Sequence, residues 1–122
     1  LLFQSKGMLP LLYELFPDSP YLLKSSWQPL ASGRQIGKPL FGREGANLCI
    51  IEADGQVSLE QPGPYGEHPL IYQRFIDYPQ DHRGQCYQAG VFFAWEACGL
   101  GFRRGGEIID NGSKFVGHVI VD

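Results

Sequence analysis

Residues 47–60 read NLCIIEADGQVSLE. Two runs with strand character flank Asp54-Gly55. A two-residue Asp-Gly step relaxes the backbone into the turn that joins antiparallel strands, so the spacing predicts a hairpin of residues 47–53 and 56–60. Working outward, residues 35–40 form a short candidate strand ahead of it, and residues 61–68, with two prolines and two glycines, must be a loop. Residues 70–76 alternate and read as a strand, and a polar turn around residues 79–84 follows. Residues 86–95 predict a long aromatic-rich strand that continues through residues 97–103 after a tight turn, with Gly105-Gly106 closing it. The pairs Ile108-Ile109 and residues 115–121 supply the last apolar pieces.

Upstream of the strands the pattern changes period. Met8, Leu11, Leu12, Leu15 and Phe16 recur at spacings of three and four, which predicts an amphipathic helix within residues 5–16. Pro10 is tolerable in its first turn, Pro17 and Pro20 stop it, and residues 21–24 predict a further short helical turn. The expected fold is therefore α+β, short N-terminal helices followed by a mostly antiparallel sheet.

The bulk properties narrow the function. A chain of 122 residues suffices for one domain and is short for two of ordinary size, so residues 1–122 are expected to be a single unit. With 43% hydrophobic and 19% charged residues and a mean hydropathy of -0.16, it can build a packed, water-soluble core. The net charge of -3 leaves no basic stripe for a phosphate backbone, which argues against nucleic acid. Its apolar runs, such as residues 89–95, are far shorter than the roughly 20 residues that span a bilayer. Cys49, Cys86 and Cys98 are odd in number, form no CxxC pair and have uncharged flanks. They predict buried, reduced thiols in a cytoplasmic protein. The abrupt apolar start at Leu1, without an initiator methionine, reads as a piece of a longer protein. His68, His82 and His118 are scattered and predict no metal site.

Three segments carry chemistry. In residues 38–47, KPLFGREGAN, a lysine ends one strand and a glycine-containing loop leads to the next; such loops bring backbone N–H groups to phosphates, and equally serve as plain turns. Leu70-Ile71-Tyr72-Gln73 is either an ordinary half-buried strand or one whose open edge pairs with a base. Arg103 and Arg104, beside flexible glycines, either clamp an anion or form a solvated turn.

Taken together, residues 5–17 (SKGMLPLLYELFP), 37–47 (GKPLFGREGAN), 71–73 (IYQ) and 113–120 (SKFVGHVI) resemble, in order and along nearly the whole chain, the C-terminal part of the glutathionylspermidine synthase family. The resemblance implies part of an ATP-grasp domain and ATP-dependent joining of a carboxylate to an amine through an acyl phosphate, with glutathione-like and polyamine-like substrates in the full-length protein. By the same resemblance, Lys6 and Lys38 face ATP phosphates, and Gly42, Arg43, Glu44, Gly45, Ala46 and Asn47 form a phosphate flap. Ile71, Tyr72 and Gln73 match the strand lining the adenine, and Gln88 a glutamine near the nucleotide. Arg103 matches an arginine that stabilises charge on the transferring groups, which leaves its neighbour Arg104 to solvent. The Mg²⁺ ligands are expected upstream of Leu1, so the isolated chain is expected to be inactive. Its flap wording follows the stand-alone synthase branch. A half-domain without its partner is also expected to self-associate through apolar surface, chiefly that of the N-terminal leucine-rich helix.

Overall fold

The computed structural model describes residues 4–119 and 121. It divides into two compact units, residues 1–76 and 77–122. In the first, helix α1 (Met8–Leu15) is followed by strands β1 (Ser25–Ser26), β2 (Gln35–Pro39), β3 (Cys49–Ile51), β4 (Val57–Glu60) and β5 (Leu70–Arg74). They form one antiparallel sheet in the order β1-β5-β2-β3-β4. The expected hairpin is present: Gly55 takes a φ of 86°, its N–H donates to Glu52 O at 2.9 Å, and the Glu52 N–H donates to Gln56 O at 2.8 Å. A β-bulge between Ile50 and Ile51 shifts the register of β3 on β4.

Facing residues in this sheet show where the core lies. Ile36 pairs with Ile50 on one side and Gln73 on the other, and Lys38 pairs with Ile71. Directly paired residues and those two apart on a strand share a face. Ile36, Ile50 and Ile71, all buried, therefore lie on the same face as Lys38 and Gln73. On the opposite face Gly37 sits between Cys49 and Tyr72. A Cβ there would stand 2.6 Å from the Cys49 Sγ, so the close crossing of these side chains requires glycine.

The helical expectation is met once. Residues 21–24 do not extend into a second helix: Leu22 N–H bonds back to Ser19 O at 3.3 Å, and the Lys24 carbonyl instead accepts the Arg74 N–H at 2.8 Å. The chain is drawn into the sheet at β1 before a helix can propagate, between two prolines that already limit it. Within α1 only Pro10 is buried, while Leu11, Leu15 and the C-cap residue Phe16 are exposed.

In the second unit, β6 (Cys86–Ala94) and β7 (Glu96–Gly105) form a long hairpin about Trp95, whose φ is 68°, and β8 (Lys114–Val116) pairs with β7. The outer part of this hairpin is open: Val91, Phe92, Phe93 and Trp95 are exposed, Trp95 almost completely. The three thiols are free, but burial was expected of all of them and only Cys86 is buried; Cys49 is intermediate and Cys98 is exposed on the outer half of β7. The last apolar segment is a strand only over Lys114–Val116, and Ile120 lies outside the described residues. No helix among the described residues is long and apolar enough to cross a membrane.

Candidate functional site

The site is assembled at the end of β2. Lys38 is the fourth residue of that strand, and its Nζ donates to the Gln73 Oε1 on β5 at 2.6 Å. The Gln73 Nε2 donates to the Ser25 Oγ on β1 at 3.0 Å, and the Ser25 hydroxyl donates to the Leu23 carbonyl at 2.9 Å. Ser25 and Gln73 are both buried, so the chain of bonds from Leu23 to Lys38 is shielded from water. Ser25 carries no periodic or motif signal in the sequence, and its part here was not foreseen.

Lys6 reaches the same end of β2. Its backbone N–H donates to Leu40 O at 2.8 Å, and its ammonium donates to the carbonyl of Gly42 in the loop. Burial lowers the Lys6 pKa below that of an ordinary lysine. Lys38 is brought down further, to about 8, first by burial and second by the positive charge of Lys6. Among the described residues neither ammonium meets a carboxylate, whereas the Arg34 guanidinium pairs with Glu52 at 3.0 Å. Two partly desolvated cations are thus held near one another with no carboxylate beside either among the described residues.

The loop between β2 and β3 is built on left-handed backbone. Glu44, Gly45 and Asn47 have φ values of 54°, 77° and 55°. Glycine takes such a φ at no steric cost and asparagine tolerates it, whereas for Glu44 it carries strain. The Ala46 N–H donates to Arg43 O at 2.9 Å, closing the turn, and the Asn47 Oδ1 accepts the Tyr65 N–H at 2.8 Å, tying the loop to residues 61–68. Arg43 is exposed, with a long 3.4 Å contact to the Gln4 side chain. Lys6, Lys38, Gly42 and Gln73 are thereby brought together, and the rest of the loop follows directly from Gly42.

On β5, Ile71 lies on the same face as this cluster and Tyr72 on the opposite face. The open edge considered for this strand is covered at Tyr72 and Gln73, because β1 pairs there as Ser26↔Tyr72 and Ser25↔Gln73. A base could not pair with the β5 backbone at those two residues without displacing β1.

Gln88 and Arg103 belong to the second unit, where they are cross-strand partners. Gln88 Nε2 donates to the Tyr78 hydroxyl at 3.0 Å; burial pushes the Tyr78 pKa up, and this bond opposes the rise. The Arg103 Nη2 donates to Asp110 O at 2.6 Å, with a weaker 3.5 Å contact to Ser113 O, and its guanidinium carbon lies 5.7 Å from the Phe115 ring centre. Its Nε is buried and has no hydrogen-bond partner among the described residues. Arg103 thus holds the turn before β8. The exposed Arg104 faces a cleft of about 440 Å³ bordered also by Gln85, Gly106, Gly112 and Lys114. Among the described residues no three His, Cys, Asp or Glu side chains gather as a metal site.

Comparison with known proteins bears on what this arrangement serves. The chain is 30% identical over 108 residues to a trypanothione synthetase of Crithidia fasciculata, covering 86% of this chain and 17% of that protein. It is 29% identical over 132 aligned positions to a protein of Haemophilus influenzae provisionally named an acid–amine ligase, covering 99% of this chain and 33% of the relative. A bifunctional glutathionylspermidine synthetase/amidase of Escherichia coli is 30% identical over 79 residues, or 62% of this chain and 13% of the enzyme. The chain therefore spans at most about a third of the length of these curated relatives. The family model described as glutathionylspermidine synthase preATP-grasp matches residues 1–121, and the chain belongs to that family.

Proposed function

We infer that the chain is the nucleotide-binding portion of an ATP-dependent carbon–nitrogen ligase that joins a carboxylate to an amine. One observation carries this reading. Lys6 and Lys38, both depressed by burial, converge at the mouth of a glycine loop, with no carboxylate beside either ammonium among the described residues. Holding two such cations together is unfavourable unless an anion neutralises them, and a polyphosphate has the charge and the length to contact both. The left-handed turn at Gly45 supports close approach of backbone to such a group.

Bound ATP would supply the phosphoryl group that activates a carboxylate for attack by an amine. The chain's own part is positional and electrostatic. Lys38, steadied by Gln73, and Lys6, steadied by the Gly42 carbonyl, would offset phosphate charge, and residues 42–47 would cover it. Ile71, Tyr72 and Gln88 are assigned to the base-binding side, and Arg103 to charge on the transferring groups, by resemblance to the family. The family's Mg²⁺ needs oxygen ligands that the described residues do not gather, and no step is assigned through it. Glutathione-like acids and polyamine-like amines are the proposed substrates of the whole protein, after the names of the relatives.

The test is titration of the ¹⁵N-labelled chain with ATP. Shifts concentrated at Lys38, Gly45, Tyr72 and Gln73, and lost in Lys38→Met, are expected. Uniformly small shifts that are the same in Lys38→Met would remove the nucleotide reading. A second reading, a β-rich interaction module, draws on the exposed Val91, Phe92, Phe93 and Trp95 of the β6–β7 hairpin. It predicts no response to ATP and association of the chain through that hairpin.

A further inference from the structure

We propose that Ser25 is a positioning residue for Lys38, acting through the side-chain amide of Gln73 to aim the ammonium at its anionic ligand. The proposal rests on the nucleotide-site reading above and adds to it a residue that touches neither phosphate nor loop.

Hydrogen-bond direction orients the Gln73 amide. A glutamine amide has a donor end and an acceptor end of nearly the same shape, and only its partners determine which end points where. Lys38 is a pure donor, so it requires the oxygen end of Gln73, and that contact is 2.6 Å. The orientation holds if the other end of the amide meets an acceptor. Ser25 provides one because its own proton is committed to the Leu23 carbonyl at 2.9 Å, which leaves an oxygen lone pair for the Gln73 Nε2 at 3.0 Å. The main-chain register places Ser25 opposite Gln73, with the Gln73 Oε1 within reach of Lys38 on the next strand. Ser25 is 5% and Gln73 7% exposed, so water cannot readily stand in for a missing partner.

Removing the hydroxyl leaves the Gln73 NH₂ without its acceptor in a dry site. The amide is then free to turn its donor end toward Lys38, where it opposes the ammonium instead of holding it. Two consequences follow for Lys38: its charged form loses a favourable contact, and its Nζ loses a fixed direction. Lys6 is the charged neighbour that acts on Lys38, and it is anchored separately on Gly42, so it does not compensate.

The test uses the whole 122-residue chain with ¹³Cε-labelled lysine, whose four lysines are separated by single Lys→Arg variants. In Ser25→Ala the Lys38 pKa should fall by about one unit, and ATP affinity at pH 8 should fall roughly fivefold, the two being linked through the charged fraction. Ser25→Thr, which keeps the hydroxyl, should restore both. If the alanine variant does not fold, Ser25→Cys takes its place, since a thiol is a weak acceptor and should shift Lys38 in the same direction by less. An unchanged Lys38 pKa in the folded Ala or Cys variant, or a loss that Thr fails to rescue, would overturn the proposal. Lys38→Met separates the two levels. If it binds ATP as the parent does, the nucleotide reading falls while the Lys38 titration still reports on Ser25.

Discussion

The buried ammonium of Lys38 should make the stability of the chain depend on alkaline pH in a way that one substitution abolishes. In the unfolded chain Lys38 titrates near the ordinary lysine value of 10.5; in the folded chain it titrates at about 8, because burial and Lys6 disfavour its charge. Between these values the unfolded state binds the extra proton, so folding becomes more favourable as pH rises from about 8 to 10.5 and is penalised below that window. At about 1.36 kcal/mol per pKa unit the full effect is about 3 kcal/mol, and about 2 kcal/mol is the safer figure because the side chain is not wholly buried. Urea denaturation of the parent and of Lys38→Met at pH 7, 9 and 10.5 isolates it. Cys49 and Tyr78, whose pKa values burial raises, are present in both proteins and cancel. The parent should gain on the variant by about 2 kcal/mol over the series. Added ATP should flatten the parent's curve, since an anion beside Lys38 raises its pKa. Parallel pH profiles for the two proteins would show that Lys38 is solvated, and the electrostatic argument for the site would go with it.

Other outcomes follow from single contacts. Lys6→Met should raise the Lys38 pKa by removing its like-charged neighbour, read by the same ¹³Cε titration. Gly37→Ala should destabilise the chain by about 1–3 kcal/mol, because its Cβ meets the Cys49 Sγ at 2.6 Å; a double-mutant cycle with Cys49→Ala should show coupling above about 0.5 kcal/mol, and strict additivity would contradict the close crossing. Asn47→Ala should cost about 1–2 kcal/mol by thermal melting, through the bond to the Tyr65 N–H and the left-handed φ, with Asn47→Gly recovering only the backbone part. Phe93→Glu should suppress any concentration-dependent association seen by light scattering, and association that survives it would point away from the β6–β7 hairpin and toward the exposed face of α1.

What the sequence made legible was local. The Asp54-Gly55 hairpin, the helix stripe and the strands of residues 35–40 and 70–76 each carry their own period or turn chemistry within a few residues. The insertion of β5 between β1 and β2 does not, since that pairing is set by partners far apart in the chain. Ser25-Ser26 is too short for any period to register, and so the residue that covers the β5 edge and holds Gln73 stayed hidden. Burial was over-read for a related reason. Cys98 has the uncharged flanks of a core thiol, yet composition states only a preference for cover, and the structure leaves it exposed. Of the site, Lys38, Gln73 and Lys6 were named through family resemblance, and the fold brings these three together; Gln88 and Arg103 belong to a separate compact unit.

The sheet order also bears on when the site comes into being. The bond from Lys38 to Gln73 joins residues 35 apart in sequence, and that from Gln73 to Ser25 joins residues 48 apart. Neither can form until the intervening chain, including the β3–β4 hairpin, has been looped out and closed, an entropic cost that must be met before these contacts return anything. Assembly of the lysine cluster is therefore tied to the slow, non-local step of folding. A nascent or partly unravelled chain that retains its hairpin but not β5 would have strands without a binding site, so ligand capture would report on completion of the fold.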